Sequence, residues 1–182
     1  MTSIEDIIRI AVAAHEGQKD MVGNPAILHV LSVGLMGKND LEKKAGLLHD
    51  VVEDSDVTLS DLRAKGVEEN VLEAVDLLTH RDNISYEDYV KKIVQSGNET
   101  AIRVKLNDLH HNLWRAEDAL NTLDTSNQER KALLDEIMRI AAVHDRAERF
   151  IQNSIPAMQH ITTCDTSAFK LNQTGSNSTL LG

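Results

Sequence analysis

The stretch AGLLHDVVEDSD, residues 45–56, is apolar enough to be buried, yet it carries ionisable side chains at His49, Asp50, Glu53 and Asp54. Read as one helix at ~100° per residue, these four fall within an arc of roughly 140°. Leu48, Val51 and Val52 occupy the remainder, with Ala45 beside them. Gly46 lies inside the polar arc and leaves room for something to approach. Three carboxylates and a histidine on one side of a helix repel one another unless something offsets the charge. Bulk water does so on a solvated surface. A divalent cation does so with chemistry, because imidazole suits Mn, Fe, Zn, Co or Ni and a carboxylate completes the ligand set. On the metal reading Glu53, one turn beyond the His-Asp pair, can take the proton of an attacking water.

Outward from this segment the chain reads as helix throughout. Ile4, Ile7, Ile8, Ala11, Val12 and Ala14 recur at helical spacing after Ser3, an N-cap with Asp6 three residues on. Gly17, Gly23, Asn24 and Pro25 predict a loop over 17–25. A second helix follows over 26–36, stopped by Gly37, and a third begins at an Asp40 cap and runs through Val52. Two short helices, about 58–65 and 67–78, flank Gly66. Ser85 with Asp88 opens a helix over 85–96 that ends at Gly97. Long helices are expected over about 99–120 and, from a Ser126–Glu129 capping box, through Phe150. The expectation is an all-α, single-domain multi-helix bundle over 1–159, with a Thr-, Ser- and Asn-rich flexible tail over 160–182.

A metal site at His49-Asp50 needs donors from elsewhere. His29 sits among Ile27, Leu28, Val30 and Leu31, where a core histidine with one hydrogen bond is the plain alternative. Asp108, His111, Asn112 and Arg115 share one helix face at spacings of three and four, and a polar stripe on an exposed helix explains them equally well one at a time. Their order along the chain is the rarer feature: a histidine, then His-Asp with Glu-Asp, then a distant aspartate. Adjacent His110 and His111 point about 100° apart and do not serve one ligand face. Trp114, Tyr86 and Tyr89 read as helix packing, and His15 as a residue near the Gly-Gln loop.

Bulk properties limit the function classes. With 182 residues, 41% apolar and 26% charged, the chain is one ordinary globular domain. Its net charge of −10 offers no basic surface for DNA or RNA. A small anionic ligand stays possible, because a bound cation inverts the local field. Cys164 is the single cysteine, which excludes an internal disulfide. The acidic N-terminus lacks the basic start of a signal peptide, and no run reaches the length of a membrane span, so a cytoplasmic location is expected.

The segments AAHEGQ (Ala13–Gln18), GNPAILH (Gly23–His29), GLLHDVVEDS (Gly46–Ser55), LLTHRDNISYEDYV (Leu77–Val90) and VKLNDLHHN (Val104–Asn112) together resemble the HD-type metal-dependent phosphohydrolases. The resemblance is nearest to the hydrolase half of the RelA/SpoT group and its stand-alone small alarmone hydrolases, which remove pyrophosphate from the ribose 3′ position of (p)ppGpp. It implies an all-α fold and Mn²⁺, another divalent transition metal being the alternative. By position it implies His29, His49, Asp50 and Asp108 as metal ligands, Glu53 and Asp54 as the pair that orients and activates water, and Asn112 as a nucleotide contact. Lys19 and Arg81 are candidates for phosphate oxygens.

The chain departs from that pattern where substrate is read. A basic pair after Gly17-Gln18 becomes Lys19-Asp20, an aromatic becomes Ala26, and the proline after the first histidine becomes Val30. His80-Arg81 follows Thr79 where a lysine is common. The roughly thirty residues after the last helix are too few for an attached synthetase half. The resemblance therefore implies a metal-dependent hydrolase of a phosphorylated nucleotide, guanosine-3′,5′-bis(diphosphate) first. Another nucleotide or phosphoester is the alternative substrate, and a non-catalytic nucleotide-binding sensor the alternative class.

Overall fold

The structure is a computed structural model that describes residues 2–81, 83–122 and 128–155. Among these residues the chain forms helices α1 (Ile4–Ala14), α2 (Ile27–Leu35), α3 (Asp40–Leu48), α4 (Val51–Asp54), α5 (Leu59–Ala64), α6 (Glu69–Leu78), α7 (Tyr86–Ser96), α8 (Glu99–Thr122) and α9 (Gln128–Ser154). An isolated antiparallel bridge, Lys19 with Pro25, is the one β-type pairing among them. No helix among the described residues is long and apolar enough to cross a membrane. The expected tail over 160–182 and the Ser126 end of the last capping box lie outside the described residues.

Local signals set most boundaries. Ser3 Oγ accepts the Asp6 amide, Ser85 Oγ accepts the Asp88 amide, and Thr58 with Asp61 forms a reciprocal capping box on α5. Gly97, at φ 65°, closes α7 in the left-handed region that only glycine enters without strain. Two expectations change. Asn39 rather than Asp40 caps α3, its side chain accepting the Glu42 amide. The single helix expected through Val52 is broken at His49-Asp50, with Asp50 at φ −98°, ψ −7° before α4 begins. The Gly46 carbonyl, which a continuing helix would offer to the Asp50 amide, receives the His49 ring nitrogen at 2.7 Å.

The core is built on α3, which packs against α1, α2, α6 and α8. Ile7, Val33, Leu48, Val51, Ile93 and Leu109 lie fully inside it. A smaller apolar cluster of Leu113, Ala116, Ala119, Ile137 and Ala141 joins α8 to α9. Helices α2 and α3 meet backbone to backbone. A Cβ on Gly46 would stand 3.0 Å from Gly34 Cα and 3.1 Å from Val33 O. What approaches Gly46 is therefore the α2 backbone. Any side chain there has to push one helix off the other.

Replacing Gly46 by Val is expected to lower unfolding free energy by about 1–3 kcal/mol, the usual cost of overpacking a close contact. Urea denaturation of the two proteins checks this, and an unchanged midpoint would mean that the α2–α3 crossing relaxes freely.

Candidate metal centre and cleft

The Gly34–Gly46 crossing carries His29 on α2 towards His49 at the end of α3, with ring centroids 5.2 Å apart in an edge-on arrangement. Asp50 follows His49 directly, at the break between α3 and α4. Donor atoms of His29, His49 and Asp50 all lie within 4.8 Å of one another. Asp108 comes from the middle of α8, its Oδ1 standing 3.1 Å from His29 Nε2 and 3.7 Å from His49 Nε2. His29, His49 and Asp108 are buried. Two imidazoles and two carboxylates from three parts of the chain thus converge on one point, a donor set suited to a divalent transition metal.

The hydrogen bonds around the donors fix which nitrogen faces inward. His49 Nδ1 donates to the Gly46 carbonyl, which can only accept, so the neutral ring presents an unprotonated Nε2. That Nε2 is buried without a hydrogen bond and faces Asp50 Oδ1 at 3.2 Å and Asp108 Oδ1 at 3.7 Å, the setting of a nitrogen that shares a metal ion with carboxylates. His29 Nδ1 lies 2.8 Å from His111 Nδ1, and its Nε2 faces Asp108. Burial, with the charges of His29 and Arg115 adding to it, pulls His111 down to about 4. His111 is then neutral at physiological pH and available as the acceptor that holds the His29 ring. The Trp114 ring, read in sequence as helix packing, lies against His111 on the same helix, 5.5 Å between centroids, and is 52% exposed.

Charge balance is completed by a residue that the helix pattern did not single out. Lys105 is buried and donates to Asp108 Oδ2 at 2.8 Å, while its ammonium lies 5.0 Å from the Tyr89 ring centre and 5.3 Å from that of Tyr86. Burial opposes ionisation of Asp108, but Lys105 and the two histidines outweigh it and hold the carboxyl well below the usual range. The i,i+3 spacing of Lys105 to Asp108 was visible in sequence. The burial that makes it matter was not. Asn112 Nδ2 donates to Asp108 Oδ1 at 2.6 Å, so this asparagine braces the aspartate, and its own Oδ1 accepts from Arg115.

Glu53 and Asp54 project from α4 at the rim of this cluster. Crowding by surrounding protein pushes the Glu53 carboxyl up, Asp50 adds to that effect, and the His80 amide, donating at 2.7 Å, opposes it. Asp54 is likewise raised by partial burial and then by Asp50. Carboxylates held nearer to neutrality are better proton acceptors. Gln18 anchors α4 from the other side, donating to the Asp54 carbonyl at 2.7 Å while its Oε1 lies 2.8 Å from His15 Nδ1.

Two connected spaces surround these groups. A polar cavity of about 240 Å³ is lined by the four donors together with Glu53, Asp54, Tyr86, Lys105, Arg115 and His144. A larger cleft of about 550 Å³ has a polar floor in His29, Asp50, Asp54 and Asn112, and an apolar wall in Ala116, Ala119, Ile137, Ile140 and Ala141. Lys19 lines the cleft, on a loop pinched by its bridge to Pro25 and by Asp20, whose Oδ1 accepts the Val22 and Asn24 amides. Arg81 is placed otherwise. It is exposed, pairs with Asp76 at 2.6 Å and lines neither space, and its neighbour His80 faces the cavity instead. Sequence reading also passed over His144. It comes from α9, far along the chain, and no spacing links it to the others.

Four metal-type donors around an adjacent His-Asp pair in an all-helical frame define an HD-type domain. Its relatives are proteins of the RelA/SpoT group. No family model matches the chain. The GTP pyrophosphokinase of Streptomyces coelicolor is 32% identical over 143 residues, covering 72% of this chain. The guanosine-3′,5′-bis(diphosphate) 3′-pyrophosphohydrolase of Vibrio cholerae is 40% identical over 93 residues, covering 49% of this chain. The chain spans 16% and 13% of the length of these two proteins. Among solved structures, a metazoan ortholog of SpoT that hydrolyzes ppGpp has the same fold, with a TM-score of 0.53 at 20% identity over 84% of this chain and 96% of the other.

Removing the His111 ring should weaken binding of a divalent metal by roughly 10- to 100-fold, the usual effect of losing the group that orients a ligating histidine. Titration calorimetry of His111→Ala against wild type measures it, and equal affinities would mean that His111 does not position His29.

Proton release provides a second check. Burial disfavours the His49 imidazolium, but Asp50 and Asp108 outweigh it and raise His49 to about 9 in the metal-stripped protein. A metal ion held by His49 would displace that proton at neutral pH, so about one proton is expected to leave per ion bound, with affinity climbing as pH rises towards 9. Calorimetry in buffers of different ionisation enthalpy counts the protons. A count near zero at pH 7.5 would contradict the assignment.

Proposed function

We propose that this chain is a divalent-metal-dependent phosphohydrolase of phosphorylated nucleotides, acting first on guanosine-3′,5′-bis(diphosphate) to remove the 3′ pyrophosphate. The observation that carries the reading is the convergence of His29, His49, Asp50 and Asp108 beside the Glu53-Asp54 pair, in one polar cavity that opens on a nucleotide-sized cleft. The name of the Vibrio relative supports the reaction, and the fold shared with the SpoT ortholog agrees with it. In this reading the four donors hold Mn²⁺, and the protein works among cytoplasmic nucleotides.

When bound, the cation supplies Lewis acidity to phosphoryl oxygens and lowers the pKa of water. The chain does the rest. Glu53, fixed by the His80 amide, takes the proton of the attacking water as its oxygen bonds to the 3′ phosphorus. Asp54, held in place through Gln18, orients that water. The bond between the phosphorus and the ribose 3′ oxygen breaks, the 3′ oxygen is protonated, and pyrophosphate and GDP leave. Lys105 keeps Asp108 ionised without reaching for substrate, since its ammonium is committed to that carboxylate.

A second reading, hydrolysis of another nucleotide or phosphoester, is favoured by the cleft itself. Its loop offers Lys19 as a cation but ties Asp20 into the loop, and Ala26 provides no stacking face. A sensor without turnover has no use for both carboxylates at the rim of the cavity. The deciding experiment measures pyrophosphate release from ppGpp by metal-stripped protein before and after Mn²⁺ is restored. Release is expected only with metal, and Glu53→Gln should lose roughly 10²–10⁴-fold in kcat, the range for a positioned general base. Silence on ppGpp, with turnover of another phosphoester, would move the function to the second reading.

A further inference from the structure

His29, Asp50, Asp54, Asn112, Arg115 and His144 line both the metal cavity and the cleft, and so mark the passage between them. Among these six, Arg115 is the only permanent cation. The other basic residues on these walls are differently placed. Lys105 lines the cavity alone and is bound to Asp108, while Lys19 lines the cleft alone.

The Arg115 guanidinium is only partly satisfied. One terminal nitrogen donates to the neutral Asn112 Oδ1. The other forms a loose ion pair with Asp20 Oδ2 at 3.6 Å, too long for a hydrogen bond, and Nε is buried with no partner. An arginine fork with donors to spare, half-buried at a passage between two polar walls, matches the geometry of a phosphoryl oxygen pair.

We infer that Arg115 receives a second phosphoryl group of the ligand, carried on the nucleoside body and separate from the one that reacts at His29, His49, Asp50 and Asp108. The metal centre selects for a phosphoryl group at one end of the ligand. Arg115 stands where that cavity gives way to the apolar-walled cleft, which takes the sugar and base. A nucleotide phosphorylated at two separated positions satisfies both; a nucleotide with one phosphoryl group leaves one of them unpaired. This rests on the proposed phosphohydrolase reading and adds the residue that discriminates within it.

The test compares two ligands that differ only in the second group, guanosine 3′,5′-bisphosphate and guanosine 3′-monophosphate. Each is titrated calorimetrically into the Mn²⁺-loaded full chain at fixed ionic strength. Wild type is expected to prefer the bisphosphate by roughly 10- to 100-fold, the scale of a hydrogen bond to a charged group. Arg115→Gln should remove most of that preference and leave the monophosphate nearly unaffected, whereas Arg115→Lys, which keeps the charge and loses the fork, should restore part of it.

A merely structural role, through Asn112 and Asp20, would weaken both ligands alike, and that result overturns the inference. So does an unchanged preference in folded Arg115→Gln, or the absence of any preference in wild type. If Arg115→Gln does not fold, Arg115→Lys carries the same comparison, and a preference equal to wild type refutes the forked contact. Failure to hydrolyse ppGpp would count against the named reaction. The ligand preference is read independently of turnover.

Discussion

The contact of Gly34 with Gly46 governs the rest of the structure. Because neither residue has a Cβ, α2 and α3 approach until backbone meets backbone, and the ends of those helices bring His29 and His49 within 5.2 Å between ring centres. Beside that contact, the Gly46 carbonyl accepts from His49 Nδ1. One bond therefore does two things. It turns the ring so that Nε2 faces the donor cluster, and it engages a carbonyl at the point where α3 gives way to α4. Beyond the break, Glu53 and Asp54 on α4 line the cavity to which α8 contributes Asp108.

A cluster of carboxylates and imidazoles this deeply buried needs its own electrostatic order. Lys105 provides it by pairing with Asp108 inside the protein, where both charges would be costly alone. Tyr86 and Tyr89 cover the ammonium with their ring faces, and Tyr89 is in turn anchored through its hydroxyl to the Leu78 carbonyl. The result is a graded site. Asp108 is held firmly ionised, while Glu53 and Asp54 at the rim are pushed towards neutrality by partial burial and by Asp50. The carboxylate held firmly ionised and those pushed towards neutrality thus differ in depth and in their nearest charges.

The acidity of the whole chain acquires a local meaning here. A net charge of −10 repels polyanions at a distance, yet Arg115 and Lys19 line the cleft that leads to the donor cluster. The proposed phosphorylated ligand would meet these cations at short range, where the protein's average charge matters less than the nearest partner.

The amino-acid sequence by itself determined the helices and the chemistry of the cluster. Ser3, Thr58, Ser85 and Gly97 mark helix ends through bonds made within a few residues, and such local bonds are legible in a string. The order His29, His49-Asp50, Glu53-Asp54, Asp108 named the groups that the fold gathers. Tertiary structure decided everything that depends on which neighbour a side chain meets. It broke the helix at His49-Asp50, sent Arg81 to Asp76, made Lys105 an interior counter-charge, and brought Arg115 and His144 from α8 and α9 to the passage between cavity and cleft. Helical periodicity states which face a residue occupies. Only packing states what that face touches, because burial and charge pairing arise between segments far apart in the chain.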